Sequence, residues 1–264
     1  HLDRYANHAE YGQAKARIFL NQQAPDVAVV NADDPSVVRL SEQAKVPVFG
    51  FTQSRAPAER GRFAGRAFAV DGGFAFDFAE VQLAVRNPAL RGGHNLLNAM
   101  AAALLAFHSG ASPQKIQEGL DGYPGLPHRL ERVRTLREIE WINDSKATNV
   151  DSVLVALKAF ASGVWLIAGG RGKGAPYAPM VEASMGRVKG VLTIGEDAPA
   201  IAAAYAGKLP VHACGTLEAA VSRAAELARP GDVVLLSPAC ASYDQFKNFE
   251  QRGDAFRRLV KGLS

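Results

Sequence analysis

Three polar runs in this chain each follow an apolar stretch of the kind that forms a buried strand. The first is Asn143-Asp144-Ser145-Lys146-Ala147-Thr148-Asn149, at the end of Glu140–Asn143. An aspartate, a lysine and hydroxyls at a strand-to-helix turn can meet phosphate, a metal, an amine or a carboxylate. The N–H groups of a following helix favour anions there. Capping by Asp144, Ser145 or Thr148 is the plainer alternative, although seven small or polar residues exceed what one cap needs. The second run, Gly169-Gly170-Arg171-Gly172-Lys173-Gly174, follows Val164–Ala168. Its lysine precedes Gly174 rather than Ser or Thr, so it is no P-loop, and it does not fit Gly-x-Gly-x-x-Gly. Arg171 and Lys173 can still bind a carboxylate; a solvated turn accounts for them equally. The third run spans Ser237 to Gly253, after Val233–Leu236. Its small residues allow a ligand close to the backbone, Ser242 offers a hydroxyl, and Phe249 offers a wall. A loop whose serines cap and whose phenylalanines pack explains the same residues. No histidine near Cys240 supports a nucleophilic thiol.

Other candidates lie elsewhere. Gly93-His94-Asn95-Leu96-Leu97-Asn98 puts two asparagines three apart at a helix start. An amide presents a donor and an acceptor together, which suits the edge of adenine; capping explains Asn95 alone. His128-Arg129 follows the linker Gly122-Tyr123-Pro124-Gly125-Leu126-Pro127 and could clamp a nucleotide. Lys15 falls on the apolar stripe of its helix. Such a lysine ordinarily snorkels to solvent; buried, it could form a carbamate able to hold Mg²⁺.

The elements that must position these residues divide at the linker. Before it, residues 8–22 read as an amphipathic helix with Tyr11, Ala14, Ile18 and Phe19 on one stripe. Val27–Val30 and Val46–Phe51 read as strands, Pro47 confining the latter to a sheet edge or a strand start. Asn31–Pro35 reads as a turn. Residues 62–85 alternate around Asp71-Gly72-Gly73, which predicts a hairpin. Helices are expected over Asn95–Ser109 and Pro113–Leu120, the latter capped by Ser112. After the linker, strands at Glu140–Asn143, Val164–Ala168, Gly190–Ile194, Val211–Ala213 and Val233–Leu236 alternate with helices at Val150–Phe160, Met180–Met185, Ala198–Tyr205, Leu217–Leu227 and Phe249–Leu263. That rhythm predicts an α/β fold with a mostly parallel sheet, whose ligands bind at the carboxyl ends of the strands. Domains are expected over 1–125 and 126–264.

Composition narrows the classes. A net charge of +4 with no basic run argues against nucleic-acid binding. No apolar run could span a bilayer, no signal peptide is evident, and Cys214 and Cys240 make no disulfide framework. A cytoplasmic protein without membrane insertion is expected. The chain opens at His1 without an initiator methionine.

Together these segments resemble the UDP-N-acetylmuramoyl-L-alanine:D-glutamate ligases of the Mur ligase family. The match is carried by His1-Leu2-Asp3-Arg4, Tyr11 with Lys15, Asn31-Ala32-Asp33-Asp34, Gly93-His94-Asn95 with Asn98, Leu126-Pro127-His128-Arg129, Trp141 through Asn149, and Ser237 through Gly253. The last run is the part most specific to the D-glutamate-adding member. The resemblance implies ATP and Mg²⁺ as cofactors, UDP-N-acetylmuramoyl-L-alanine and D-glutamate as substrates, and a monomer. It implies that His1 and Lys15, the latter as carbamate, help place Mg²⁺ and serve with Lys146 in catalysis. Asn95 and Asn98 would contact adenine; His128, Arg129 and Asp144 would reach ribose and phosphates. Thr148, Lys173, Ser242, Tyr243 and Phe249, with Lys146, would form the D-glutamate pocket, Tyr243 through its backbone. The fold implied is a truncated Mur-ligase central domain followed by a Rossmann-like C-terminal domain. Because the family's Gly-Lys-Ser/Thr loop and uridine-nucleotide domain are not in the sequence, the chain is expected to show no turnover alone. Another Mur-type or folylpolyglutamate-type ligase, a non-catalytic amino-acid or nucleotide-binding module, and a nicotinamide dehydrogenase are the rivals; the dehydrogenase lacks its glycine motif.

Overall fold

The structure is a computed structural model that describes residues 5, 7–54 and 61–264. It divides into two compact units, 1–123 and 124–264.

In the first unit, α1 (His8–Ala16), β1 (Ala28–Asn31), α2 (Pro35–Leu40), β2 (Val48–Thr52), β3 (Gly65–Val70), β4 (Gly73–Phe76), β5 (Gln82–Ala84), α3 (Gly93–His108) and α4 (Pro113–Asp121) follow in order. The sheet runs β1-β2-β3-β4-β5. Its first three strands are parallel, and β4 and β5 turn back antiparallel. The expected hairpin is present: Val70 pairs with Gly73 across Asp71-Gly72, and Gly72 takes a φ of 72° that suits glycine. One face of the sheet packs on α3 and α4 through Phe74, Met100 and Leu104; the other packs on Ala16 and Phe19.

Two local expectations differ, and a third, the strand start at Pro47, holds. Residues 31–35 do not simply turn; Asp34 accepts N–H groups from Ser36 and Val37 and starts α2, with Pro35 in its first turn. The first helix gives way after Ala16 to a 3₁₀ turn at Arg17–Phe19. Tightening from 3.6 to 3 residues per turn breaks the predicted stripe, so Phe19 is buried while Ile18 is 73% exposed. Pro47 stands just before β2, an interior strand; it lacks a donor, but its carbonyl still accepts from Ala28 N at 3.0 Å.

The second unit contains β6 (Glu131–Leu136), β7 (Ile139–Asn143), α5 (Val150–Leu157), β8 (Val164–Gly169), α6 (Ala178–Ser184), β9 (Val188–Ile194), α7 (Ala198–Tyr205), β10 (Val211–Gly215), α8 (Leu217–Leu227), β11 (Val233–Leu236) and α9 (Phe249–Lys261). The sheet order is β10-β9-β8-β11-β7-β6, parallel except for β6. Alternate residues of each strand point to opposite faces. Val164, Leu166 and Ala168 meet α5, α6 and α7, whereas Trp165 and Ile167 meet α8 and α9. This is the mostly parallel, doubly covered α/β sheet that the strand–helix rhythm predicts. Strand β6 has no counterpart among the expected strands. It joins β7 through Arg137-Glu138, both at positive φ, where Asn-Gly is the usual signal.

Candidate functional site

Strands β7, β11 and β8 are neighbours, in the order β8-β11-β7, so the runs that follow them gather at one rim of the second unit. The Gly169–Arg171 turn is zipped to the third run: Arg171 N donates to Ala241 O at 2.9 Å, and Ala241 N returns to Arg171 O at 3.0 Å. Gly169 and Gly170 both sit at a φ of 128°. A Cβ on Gly169 would strike the Ile194 carbonyl, and one on Gly170 the Ala241 carbonyl.

Asp144 closes the end of β7 and is buried. Leu130 N donates to one carboxylate oxygen at 3.2 Å and Ser237 Oγ to the other at 2.8 Å. Burial raises its pKa to about 6, against the lowering effect of those two hydrogen bonds and of Arg129. Capping accounts only for the last residue of the first run, because α5 is capped by Asn149, whose side chain accepts from Ser152 N at 2.8 Å. Asp144, Ser145 and Thr148 are thus free of that duty. Lys146 is exposed with its ammonium 5.4 Å from the centre of the Phe249 ring. Its backbone N–H is held by His128 O at 3.0 Å.

His128 is buried at a φ of 62°. Burial lowers its pKa, favouring the neutral ring, and its Nδ1 lies 3.1 Å from Asn143 Nδ2. Phe249 meets it edge-on, and a Cβ on Gly253 would collide with the imidazole. His128 therefore lies beneath the rim, where the sequence had offered it as one side of a nucleotide clamp. Its neighbour Arg129 is exposed. Ser242 is buried; its carbonyl accepts from Gln245 N and Phe246 N, while Tyr243 points outward at 65% exposure. Lys173 is exposed and Thr148 half-buried. Arg171 is committed to a bidentate pair with Glu196, both contacts at 2.9 Å, which leaves Lys173 as the cation of its run for a ligand. Cys240 is wholly buried beside Tyr177, and burial raises its thiol pKa, so it is no nucleophile.

In the first unit Asn95 and Asn98 are side by side: Asn98 Nδ2 donates to Asn95 Oδ1 at 3.3 Å, and Asn95 Nδ2 to Arg91 O at 2.9 Å. Gly92, not Asn95, is the N-cap of α3, so capping explains neither amide. Lys15 is exposed and lies over the Tyr11 ring at 5.3 Å, the snorkelling arrangement rather than the buried one. His1 lies outside the described residues. Among the described residues no group of three or more His, Cys, Asp or Glu could hold a metal ion.

Sequence reading passed over Arg252. It is fully buried under the rim, donating through Nε to Ser145 Oγ at 3.0 Å and through Nη2 to the carbonyls of Ser145 and Cys240 at 2.9 and 3.1 Å. The signal was present. Phe249, Arg252, Gly253, Phe256 and Val260 form the inward stripe of α9, and a cation on such a stripe is anomalous. Glu131 was also passed over. It accepts from His128 N, Asn143 Nδ2 and both arms of Arg257, fastening β6 to α9.

Residues 1–106 match the Mur ligase middle domain, and residues 128–240 the Mur ligase glutamate ligase domain, in that order. The chain belongs to the Mur ligase family. This Mur ligase chain is 65% identical over all 264 residues to the UDP-N-acetylmuramoylalanine--D-glutamate ligase of Myxococcus xanthus (strain DK1622), of which it covers 58%. It is 51% identical over 98% of its length to the enzyme of the same name from Anaeromyxobacter dehalogenans (strain 2CP-C), again covering 58%. The chain thus spans less than two thirds of the relatives it matches. Among solved structures it resembles the MurF ligase from Thermotoga maritima in complex with ADP, with a TM-score of 0.67, 17% identity, and coverage of 99% of this chain and 60% of that one. At that identity the likeness is one of fold. No helix among the described residues is long and apolar enough to cross a membrane.

Proposed function

We propose that this chain works in an ATP-dependent ligase that joins D-glutamate to the carboxyl group of UDP-N-acetylmuramoyl-L-alanine in peptidoglycan synthesis. One observation carries the reading. The rim run Ser237–Gly253 continues past residue 240, where the family-wide match ends, yet lies inside the 65% identity with a relative of that name. The substrate carboxylate attacks the γ-phosphate of ATP, giving an acyl phosphate and ADP. The amine of D-glutamate then attacks the acyl carbon, and phosphate leaves the tetrahedral intermediate. The work of the protein is positioning and charge neutralisation.

In this reading residues 126–264 form the D-glutamate domain. Lys146 and Lys173 face the carboxylates, Thr148 and Ser242 supply hydroxyls, the Tyr243 backbone borders the pocket, and Phe249 walls it. Within residues 1–125 the reading assigns Asn95 and Asn98 to adenine; within residues 126–264 it assigns exposed Arg129 to the ribose and phosphates, with the buried carboxylate of Asp144 behind it. The resemblance also implies Mg²⁺ held in part by His1 and Lys15. Lys15 is exposed and no acidic or histidine cluster accompanies it among the described residues. Lys15 with its described surroundings does not fit the ion, and it is assigned no step. The reading implies a cytoplasmic monomer.

The test is phosphate release by the full natural protein carrying this chain, given ATP, UDP-N-acetylmuramoyl-L-alanine and one amino acid at a time. Release is expected with D-glutamate and not with L-lysine or diaminopimelate; the reverse preference would refute the reading. Lys146→Ala is expected to raise KM for D-glutamate about 10- to 100-fold, the worth of one charged hydrogen bond. Because Lys146 is exposed, the melting temperature should not fall. Unchanged KM would remove Lys146 from the pocket.

A further inference from the structure

We propose that Arg252 is a positioning residue for the amino-acid substrate, tying the loop after β7 to the loop after β11 and thereby setting where Lys146 and Phe249 stand. The inference rests on the D-glutamate reading above and names the group that organises its pocket. The bonds form a relay. Arg252 Nε donates to Ser145 Oγ, and that hydroxyl donates to Phe249 O at 2.8 Å. The same guanidinium forks through Nη2 onto Ser145 O and Cys240 O. Lys146 is the next residue along the chain, and its ammonium lies over the Phe249 ring. One buried side chain therefore fixes the backbone on both sides of the pocket.

The charge itself argues for a role beyond packing. Arg252 has no acidic partner within ion-pair distance among the described residues, and its Nη1 is buried without a hydrogen bond. A guanidinium buried without an ion-pair partner carries a desolvation cost that an apolar residue of similar volume would spare. Nη1 lies 3.2 Å from where a Cβ on Gly170 would stand, so the zipped turn after β8 also borders this one group. A cation under the rim with no ion pair, offset only at longer range by Asp244, also favours approach of a dicarboxylate. Lysine cannot replace the planar fork: it has one nitrogen where the relay uses two.

The experiment uses the full natural ligase carrying this chain, with Arg252→Lys, Arg252→Met and Ser145→Ala. For each, KM for D-glutamate, KM for ATP, kcat and melting temperature are measured. Both Arg252 variants are expected to raise KM for D-glutamate roughly 10- to 100-fold, as a displacement near 1 Å would. KM for ATP should stay within about 2-fold of the parent. Ser145→Ala keeps the guanidinium but cuts the relay to Phe249, and should raise KM for D-glutamate in the same selective way. It decides the matter if Arg252→Met does not fold. Unchanged KM for D-glutamate, or both KM values rising together with a falling melting temperature, would reduce Arg252 to a structural residue. A parent enzyme without D-glutamate-dependent turnover would overturn the functional reading and this inference with it. A normal parent with unaffected variants overturns this inference alone.

Discussion

Asp144→Asn is expected to make the protein more stable at neutral pH and less active. Asp144 has a folded pKa of about 6 against an ordinary value of 3.8, with burial the leading cause. The folded state therefore binds the proton more tightly than the unfolded state. As pH falls from 6 toward 3.8, the folded form takes up a proton that the unfolded form does not, and this group's contribution to stability rises. As pH climbs through 6 that contribution is lost, about 3 kcal/mol for one buried carboxyl of this kind. Asparagine is neutral throughout. Its carbonyl can still accept from Leu130 N, and the Ser237 hydroxyl can rotate to accept from its amide. Urea melts of parent and variant at several pH values between about 3 and 8 should therefore nearly coincide below the unfolded value of 3.8, separate as pH rises from 3.8 to about 6, and stay about 3 kcal/mol apart above that, with the variant ahead. A separation that does not change across that window would show that Asp144 is not strained by burial. A carboxylate kept at such a cost is a mark of function. In the full ligase the variant should raise KM for ATP, since the buried charge acts on Arg129, the group read as meeting the phosphates.

Gly170→Ala is expected to damage the rim severely. The backbone there has a φ of 128°, which an L side chain rarely adopts, and the new Cβ would be driven into the Ala241 carbonyl oxygen. Neither side can give way easily. Ala241 and Arg171 exchange two backbone hydrogen bonds, and Arg252 and Cys240 close the space behind. Backbone strain and overpacking each cost about 1–3 kcal/mol, so a loss of about 4 kcal/mol is expected. That is a large share of a domain's stability. Gly174→Ala, four residues on, is the control. It also has positive φ, at 75°, but nothing lies within 4 Å of its added Cβ, so only the conformational cost of about 1–2 kcal/mol remains. Chemical denaturation of both variants separates the effects. Equal losses would mean that close approach at Gly170 contributes nothing.

The first run and α9 illustrate what could be read and what could not. Apolar stretches such as Val164–Ala168 and Val233–Leu236 are buried on both faces of a parallel sheet, so their continuous hydrophobicity identified them locally. The Asp71-Gly72 hairpin was legible because one residue type supplies its backbone angle. By contrast, β6 is a half-exposed edge strand whose alternating burial is weak, and its Arg137-Glu138 turn carries no glycine. Sequence reading offered Asp144, Ser145 or Thr148 as the cap of α5; the hydrogen bond from Ser152 N shows that Asn149 caps it instead.

The sequence by itself determined the family, the α/β class and the three polar runs that meet at one rim, because periodicity, turn chemistry and contiguous motifs are properties of neighbouring residues. Only the tertiary structure decided which members face outward as ligand groups and which lie beneath as supports. Lys146 is exposed, whereas His128 and Asp144 are buried. Arg171 is spent on Glu196, 25 residues away, and Arg252 on Ser145, 107 residues away. Burial and partner choice depend on groups brought together from distant parts of the chain, and no local pattern records them.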